Sequence, residues 1–423
     1  MYPVPEETGF THELDNDMEP ILIVGIIIFT GFISGELCSR IRLPKVTGYI
    51  LAGLVLNPEL THFIPETFIE HTPLITDIAL SFITFSVGGT LLFSKIRSLG
   101  KSILFITLFE AEFAFLFVFV SFVILEPSVI SLPEGSSVYF LIPLALLLGS
   151  LASPTDPSAT LAVVHEYKAK GDVTSTIMGV AAFDDILGII NYSFAVSIAG
   201  IFVTHNSLGI NSLTLLMIKI LGALLLGIAF GFFLNFLSAI IRKESEGVLI
   251  TLIIGLLALC YGVAGWIGAD KLLSTMVMGI VVVNYNEKKE KIFGLLERYT
   301  EQLIYVFFFT TSAMHLDLSV LTAHFLTIVI FIVFRSIGKF SGALFGGKIS
   351  KSSPAVQKYT AGGLIPQGGI VIGLALVIHQ NPAFHTISAI VLNVVIGATI
   401  IHEIIGPVVS KFALKKAGEI TEN

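Results

Sequence analysis

The sequence predicts an all-α polytopic membrane protein of about thirteen transmembrane helices. Three observations predict it. Of the 423 residues, 54% are hydrophobic and only 13% charged, with a mean hydropathy of +0.90, and a soluble fold needs more polar surface than that. Apolar runs near bilayer-crossing length follow one another almost end to end, each closed by a short polar or Gly/Pro cluster. The basic residues also alternate in sidedness from loop to loop.

The predicted spans cover 21–38, 45–57, 73–94, 102–125, 138–164, 173–203, 213–241, 248–266, 271–285, 301–314, 320–345, 356–378 and 384–409. The first follows an acidic leader, residues 1–20 with Glu6, Glu7, Glu13, Asp15, Asp17 and Glu19, and has no small-residue cleavage site behind it, so it reads as a retained helix. Cys38 and Cys260 lie in or near apolar spans without CxxC or Cys/His spacing and read as packing residues rather than a disulfide or zinc site. The stretch 284–299 alternates Lys and Glu with apolar residues and predicts an amphipathic surface helix joining two halves. A tail at 412–423 follows the membrane domain, 21–411.

A wrong helix count would scramble loop charges, so their distribution tests the segmentation independently of hydropathy. One set of alternate loops and the C-terminus holds 20 of the 24 Lys and Arg, from Arg40, Arg42 and Lys45 through Lys95, Arg97 and Lys101 to Lys411, Lys415 and Lys416. The opposite loops hold Lys271 alone, so the C-terminus is expected in the cytoplasm and the leader outside. The net charge of −7 comes partly from that leader; without a basic patch or nucleic-acid motif, no nucleic-acid partner is expected.

Two spans are interrupted. Span five contains Ser153-Pro154-Thr155-Asp156-Pro157-Ser158, where Pro157 clashes with the Ser153 carbonyl in a regular helix. Span twelve contains Gly362-Gly363-Leu364-Ile365-Pro366-Gln367-Gly368-Gly369. An isolated kink is ordinary, but freed backbone groups at membrane depth need protein or a wet cavity, so two breaks with polar side chains predict one shared polar site. With span one set apart and spans seven and eight as connectors, spans two to six and nine to thirteen form two inverted sets, and each break falls in the fourth helix of its set.

Charges stand where apolar packing does not call for them. Span six reads Gly179-Val180-Ala181-Ala182-Phe183-Asp184-Asp185-Ile186-Leu187-Gly188, and span eleven carries Arg335 and Lys339 one turn apart. Each isolated charge costs roughly 2.5–3.5 kcal/mol at a helix centre, so Asp156, Asp184, Asp185, Arg335 and Lys339 together carry a burden on the order of 12 kcal/mol. Ion pairs that fix helix register account for one acid with one base, but three acids against two bases leave a surplus carboxylate. Adjacent helical residues point about 100° apart, so one aspartate faces an exchangeable cation and the other a protein base. Asp185 is assigned as the Na⁺ and H⁺ carrier and Asp184 as the partner of Lys339, with Thr155 and freed carbonyls as further oxygen ligands. Desolvation disfavours a bare carboxylate and a nearby ammonium favours it, so the two ions compete for the same oxygens. Lys339 titrates more readily than Arg335 and is the candidate proton carrier.

Other polar groups inside spans are Glu110 and Glu112 in span four and His402 with Glu403 in span thirteen. They read as a proton path or pH response, or as hydrogen-bonded ties between helices. Lys219 reads as snorkelling to an interface, and Asp77 and Asp317 as interfacial.

Several stretches together resemble the monovalent cation/proton antiporter superfamily with an NhaA-like fold, over nearly all the spans. They are Leu43-Pro44-Lys45-Val46-Thr47-Gly48-Tyr49-Ile50-Leu51-Ala52-Gly53, the break motif Thr155-Asp156-Pro157, and Gly406-Pro407 followed by Lys411 through Glu419. The resemblance implies Na⁺/H⁺ exchange by alternating access in a homodimer, with a core near 102–203 and 320–409 moving as an elevator against a scaffold. It implies no cofactor, only transported Na⁺ and H⁺, and a plasma (inner) membrane location amid lipid. Asp184-Asp185 and Lys339 resemble the electrogenic members. Thr155-Asp156-Pro157 and Arg335 resemble the electroneutral branch, although Val180 stands where that branch has the glutamate that pairs with the arginine, and Thr90 where many members have an acid.

Competing classes fit less well. An intramembrane aspartyl protease needs facing aspartates from separate helices and a Gly-x-Gly-Asp motif, which the chain lacks. Neither His165-Glu166 nor His402-Glu403 continues into His-Glu-x-x-His, so a zinc enzyme is not expected. A K⁺/H⁺ antiporter of the same fold and a passive cation channel stay open as alternatives.

Overall fold

The computed structural model describes residues 19–420 apart from 42, 62–63, 66–67, 69–71, 95–99, 130–137, 157–159, 162, 165–166, 204–209 and 241–244. All but the last two leader residues therefore lie outside the described residues, as do Pro157, Ser158, His165, Glu166 and the loop charges Arg42, Lys95, Arg97, Arg242 and Lys243.

The described elements are helical throughout, in the order α1 (Pro20–Arg40), α2 (Lys45–Val55), α3 (Pro73–Gly89), α4 (Lys101–Val129), α5 (Val138–Ser150), α6 (Asp172–Val203), α7 (Ile210–Ile240), α8 (Glu246–Ile267) and α9 (Lys271–Tyr285). They continue with α10 (Lys289–Leu296), α11 (Gln302–Met314), α12 (Phe325–Ile349), α13 (Pro354–Tyr359), α14 (Gly369–Gln380) and α15 (His385–Lys416), with short helical turns between. Local chemistry sets several of these ends. Ser245 and Asp270 accept the Val248 and Leu273 amides at the starts of α8 and α9, and Gly268, at φ +72°, closes α8 in the left-handed region.

Among the described residues seven helices are long and apolar enough to cross a membrane, or eight when Pro354–Leu364 and Gly369–Gln380, bent by 50° at their junction, count as one broken span. Four further apolar helices, Lys45–Val55, Pro73–Gly89, Phe140–Ser150 and Lys271–Tyr285, have only 10–17 residues. Phe140–Ser150 is short because its span opens at the predicted first break. The outer surface is strongly apolar, with Trp266, Phe236 and Leu225 among the exposed side chains, as a lipid-facing wall requires. The stretch predicted to be an amphipathic connector forms α10, which buries Ile292, Leu295 and Leu296 and runs on into a π-helical turn at Glu297–Glu301.

The helices pack in two groups. In one, α4 lies along α12, α5 along α4 and α6, and α14 along α15; in the other, α9 packs on α3 and α7, and α2 on α1 and α11. The contact between α4 and α12 is a backbone contact. Gly338, Gly342 and Gly346 recur every four residues on α12, and a Cβ at each would run into the α4 backbone near Phe113, Phe109 and Phe105. Cys38 and Cys260 are free and buried.

Candidate functional site

The two predicted breaks meet. After α5 the chain leaves the helix through Leu151-Ala152-Ser153-Pro154-Thr155-Asp156, and between α13 and α14 it does so through Ile365-Pro366-Gln367-Gly368. The Asp156 amide donates to the Pro366 carbonyl at 3.1 Å, and the Gln367 side-chain amide to the Leu151 carbonyl at 2.8 Å. The Asp156 side chain occupies the space that a Cβ on Gly368 would need.

Arg335 satisfies four of the carbonyls that the breaks leave open. Its wholly buried guanidinium donates to the carbonyls of Ala152 at 3.0 Å and Pro154 at 2.8 Å on one break, and of Ile365 at 2.7 Å and Pro366 at 3.4 Å on the other. A planar fork spans four oxygens on two segments, where an ammonium is a single point. No carboxylate pairs with it among the described residues, and Val180, where an acid partner would stand by resemblance, is packed in an apolar cluster.

One turn along α12, Lys339 gathers the acids. Its buried ammonium lies 2.7 Å from Glu110 of α4 and 3.3 Å from Asp184 of α6, and donates to the Ser153 carbonyl at 2.5 Å and the Thr155 hydroxyl at 2.6 Å. All three charged side chains are wholly buried. Asp184 thus turns toward Lys339, while Asp185 turns away and lines a cavity of about 320 Å³ with Thr155, Asp156, Glu301 and Tyr305. Asp185 enters no ion pair among the described residues, and its Oδ1 is buried without a hydrogen-bond partner. Of the three expected sodium ligands, Asp185 and Thr155 line the cavity; Asp184 does not.

The remaining candidates surround this centre. Glu112 accepts from Asn191 of α6 at 3.2 Å, and Asn191 also donates to Ser153 at 3.3 Å. Glu403 is wholly buried, with neither oxygen hydrogen-bonded among the described residues, and beside it His402 Nδ1 sits 2.9 Å from Gln367 Oε1. Thr90 donates to the Val87 carbonyl at 2.8 Å, and Lys219 is exposed. Asp317 caps a helical turn through the Val320 amide, and Asp77 accepts from the Tyr261 hydroxyl at 2.9 Å.

Sequence reasoning missed Glu301 and Tyr305. They line the Asp185 cavity and also a second one of about 430 Å³ that reaches Lys45, Glu297 and Gln302. Glu301 opens the predicted span 301–314 with no break or charge pairing to single it out; the π-helical turn and the packing of α11 bring it to the cavity.

Comparison with known proteins identifies the family and the fold. The pattern of the family described as "Sodium/hydrogen exchanger, transmembrane" matches residues 24–416. The chain is similar to the Na⁺/H⁺ antiporter of Enterococcus hirae, 22% identical over 405 residues that make up 94% of this chain and 99% of that protein. It is also similar to the Na⁺/H⁺-K⁺ antiporter GerN of Bacillus cereus, 22% identical over 367 residues, 83% and 86% of the two chains. Among solved structures, that of the sodium proton antiporter MjNhaP1 from Methanocaldococcus jannaschii at pH 8 shares the fold with a TM-score of 0.74 and 20% identity, covering 94% of this chain and 98% of that one.

Proposed function

The chain belongs to the sodium/hydrogen exchanger family, and from that membership we propose that it exchanges Na⁺, or Li⁺, for H⁺ across the plasma (inner) membrane, with Asp185 as the group for which the two ions compete. One observation carries the reading. Asp185 faces a cavity between two opened helices with no basic partner among the described residues, while Lys339 is already held between Asp184 and Glu110.

A hard cation entering that cavity meets the oxygens of Asp185, Asp156 and Thr155 and sheds water against them. A proton neutralises Asp185 in its place. Either way the charge at membrane depth is cancelled, and only the neutralised carrier crosses between the two open faces. The packing group of α4, α5, α6 and α12–α15 is the mobile core of an elevator in this reading, the other group is its scaffold, and the working unit is a homodimer with a cytoplasmic C-terminus. The count of thirteen spans and the NhaA-like inverted repeat belong to the same proposal. Lys339 gives up a proton when the bound cation draws Asp184 away from it, which makes exchange electrogenic.

The test is a fluorescent pH assay in proteoliposomes with Na⁺, Li⁺ and K⁺, with and without a potassium/valinomycin clamp. Sodium-driven proton movement that the clamp accelerates, and that D185N abolishes, is the expected result. Wild-type rates in D185N, or proton movement uncoupled from Na⁺, would remove the reading. The name of GerN favours one second reading, exchange of K⁺, and the K⁺ arm of the assay decides it.

A further inference from the structure

The turn that follows α15 reaches back to the helix that carries the aspartates. After α15 ends at Lys416, Gly418 adopts φ +76°, a left-handed conformation that suits glycine, and the chain reverses. The Glu419 amide donates to the Leu414 carbonyl at 3.1 Å, and its carbonyl accepts from the Lys170 amide at 3.3 Å. Ile420 then joins Val173, Ile177 and Leu414 in one apolar cluster.

This turn aims the Glu419 side chain at the start of α6. Oε1 accepts from the Val173 amide at 2.7 Å; Oε2 accepts from the Thr174 amide and from the Thr174 hydroxyl, each at 2.7 Å. The first turn of a helix has amides without intrahelical partners and carries the positive end of the helix dipole. In α6 the Glu419 carboxylate, some 245 residues away in sequence, takes two of them. Gly171, just before α6, has no side chain to do so, and a Cβ there would collide with the Glu419 carboxylate.

The consequence lies farther along the same helix. Asp184 is twelve residues beyond Asp172, about 18 Å along the axis. At the level of the site α6 packs against the first break so closely that a Cβ on Gly188 would strike Pro154. Asp184 must reach Lys339, and Asp185 the cavity, from that one register. We infer that Glu419 is a positioning residue for exchange, a helix cap supplied from just beyond α15 that fixes the register of α6 against the first break, so that the turn at 416–420 is part of the transport unit. This rests on the exchange reading above.

The test compares wild type, E419A, E419Q and T174V in the proteoliposome assay, with amide hydrogen exchange over residues 172–180 on the same preparations. E419A is expected to speed exchange of the first amides of α6 and to raise the apparent KM for Na⁺ about fivefold while keeping most of the rate at saturation. E419Q keeps an acceptor oxygen and recovers most of the KM, and T174V, which loses the hydroxyl bond alone, lies near wild type. An active wild type whose KM and pH profile match those of E419A overturns the inference, whether or not the amides of α6 exchange faster, because the cap would then serve stability only. A wild type that moves no protons on any of the three cations removes the exchange reading itself, and the inference falls with it.

Discussion

The Lys339 ammonium lies 2.7 Å from the Glu110 carboxylate, both side chains wholly buried, with Asp184 at 3.3 Å on the other side. One base therefore holds two acids from different helices. A buried charge left without its partner is strongly destabilising, typically by about 3–5 kcal/mol, whereas one of two partners is lost more cheaply.

Glu110→Gln should therefore be tolerated, with a stability loss of roughly 1–3 kcal/mol, because Asp184 still neutralises Lys339. Lys339→Ala strands both acids and should lose roughly 3–5 kcal/mol. In E110Q/K339M only Asp184 is left over, so that double variant should recover part of the loss. Thermal unfolding in detergent orders the three variants, and an E110Q protein less stable than K339A would reverse the assignment of Lys339 as the shared partner.

Arg335→Lys should fail where a charge count says it should pass. The guanidinium bridges carbonyls on both breaks, and the ammonium of a shorter point-like group reaches one break at a time. Charge-assisted bonds contribute about 1.5–3 kcal/mol each, so losing two leaves the crossing loose. Sodium-driven proton flux should drop by at least about tenfold, and amide exchange should rise at 152–156 and 365–367 together. A rise confined to one segment would show that Arg335 does not couple them.

The sequence disclosed much of this site because membrane depth makes polar groups and broken helices stand out. Pro154 and Pro366 marked the breaks, and the 100° step between Asp184 and Asp185 told that they face different partners. The sequence marked Glu110 as a proton-path or helix-tie candidate without pairing it with Lys339, and that gap is equally physical. Which residue of α4 faces Lys339 depends on how α4 lies along α12, and an isolated glutamate in an apolar run does not carry that information. The expected Glu partner of Arg335 was a pairwise idea, whereas the arginine here serves four carbonyls that exist only once the two breaks cross. The predicted spans 45–57 and 271–285 coincide with α2 and α9, which at 11 and 15 residues stand out by apolar composition rather than by length.

Gly342→Val tests the close approach that puts Glu110 beside Lys339. A side chain at 342 enters the space of the Phe109 carbonyl and the Glu110 Cα, both backbone atoms of α4. Overpacking of that kind typically costs about 1–3 kcal/mol, and here it also pushes the acid from the base. A lower unfolding temperature is expected, and adding E110Q should lower it little further, since the pair is already separated. Full additivity of the two changes would show that the glycine contact and the ion pair are independent.

The competition at Asp185 fixes how sodium affinity should depend on pH. In the acid limb, where the carrier is protonated, binding one Na⁺ must release whatever protons the site holds, and each released proton raises the apparent KM about tenfold for every unit the pH falls. If Asp185 alone exchanges its proton, log KM should rise with slope one as pH decreases; if Lys339 also releases a proton when Asp184 is drawn to the ion, the slope approaches two. Above the titration range the KM should become independent of pH, because no proton remains to displace. Rate at saturating Na⁺ should stay nearly constant through the acid limb, since enough cation outcompetes the proton. Initial rates in proteoliposomes over a matrix of pH and Na⁺ concentration measure the slope, and K339A, which has no lysine proton to release, should bring a slope of two back to one. A pH-independent KM with a falling saturated rate would mean that protons act at some other group than the one that binds sodium.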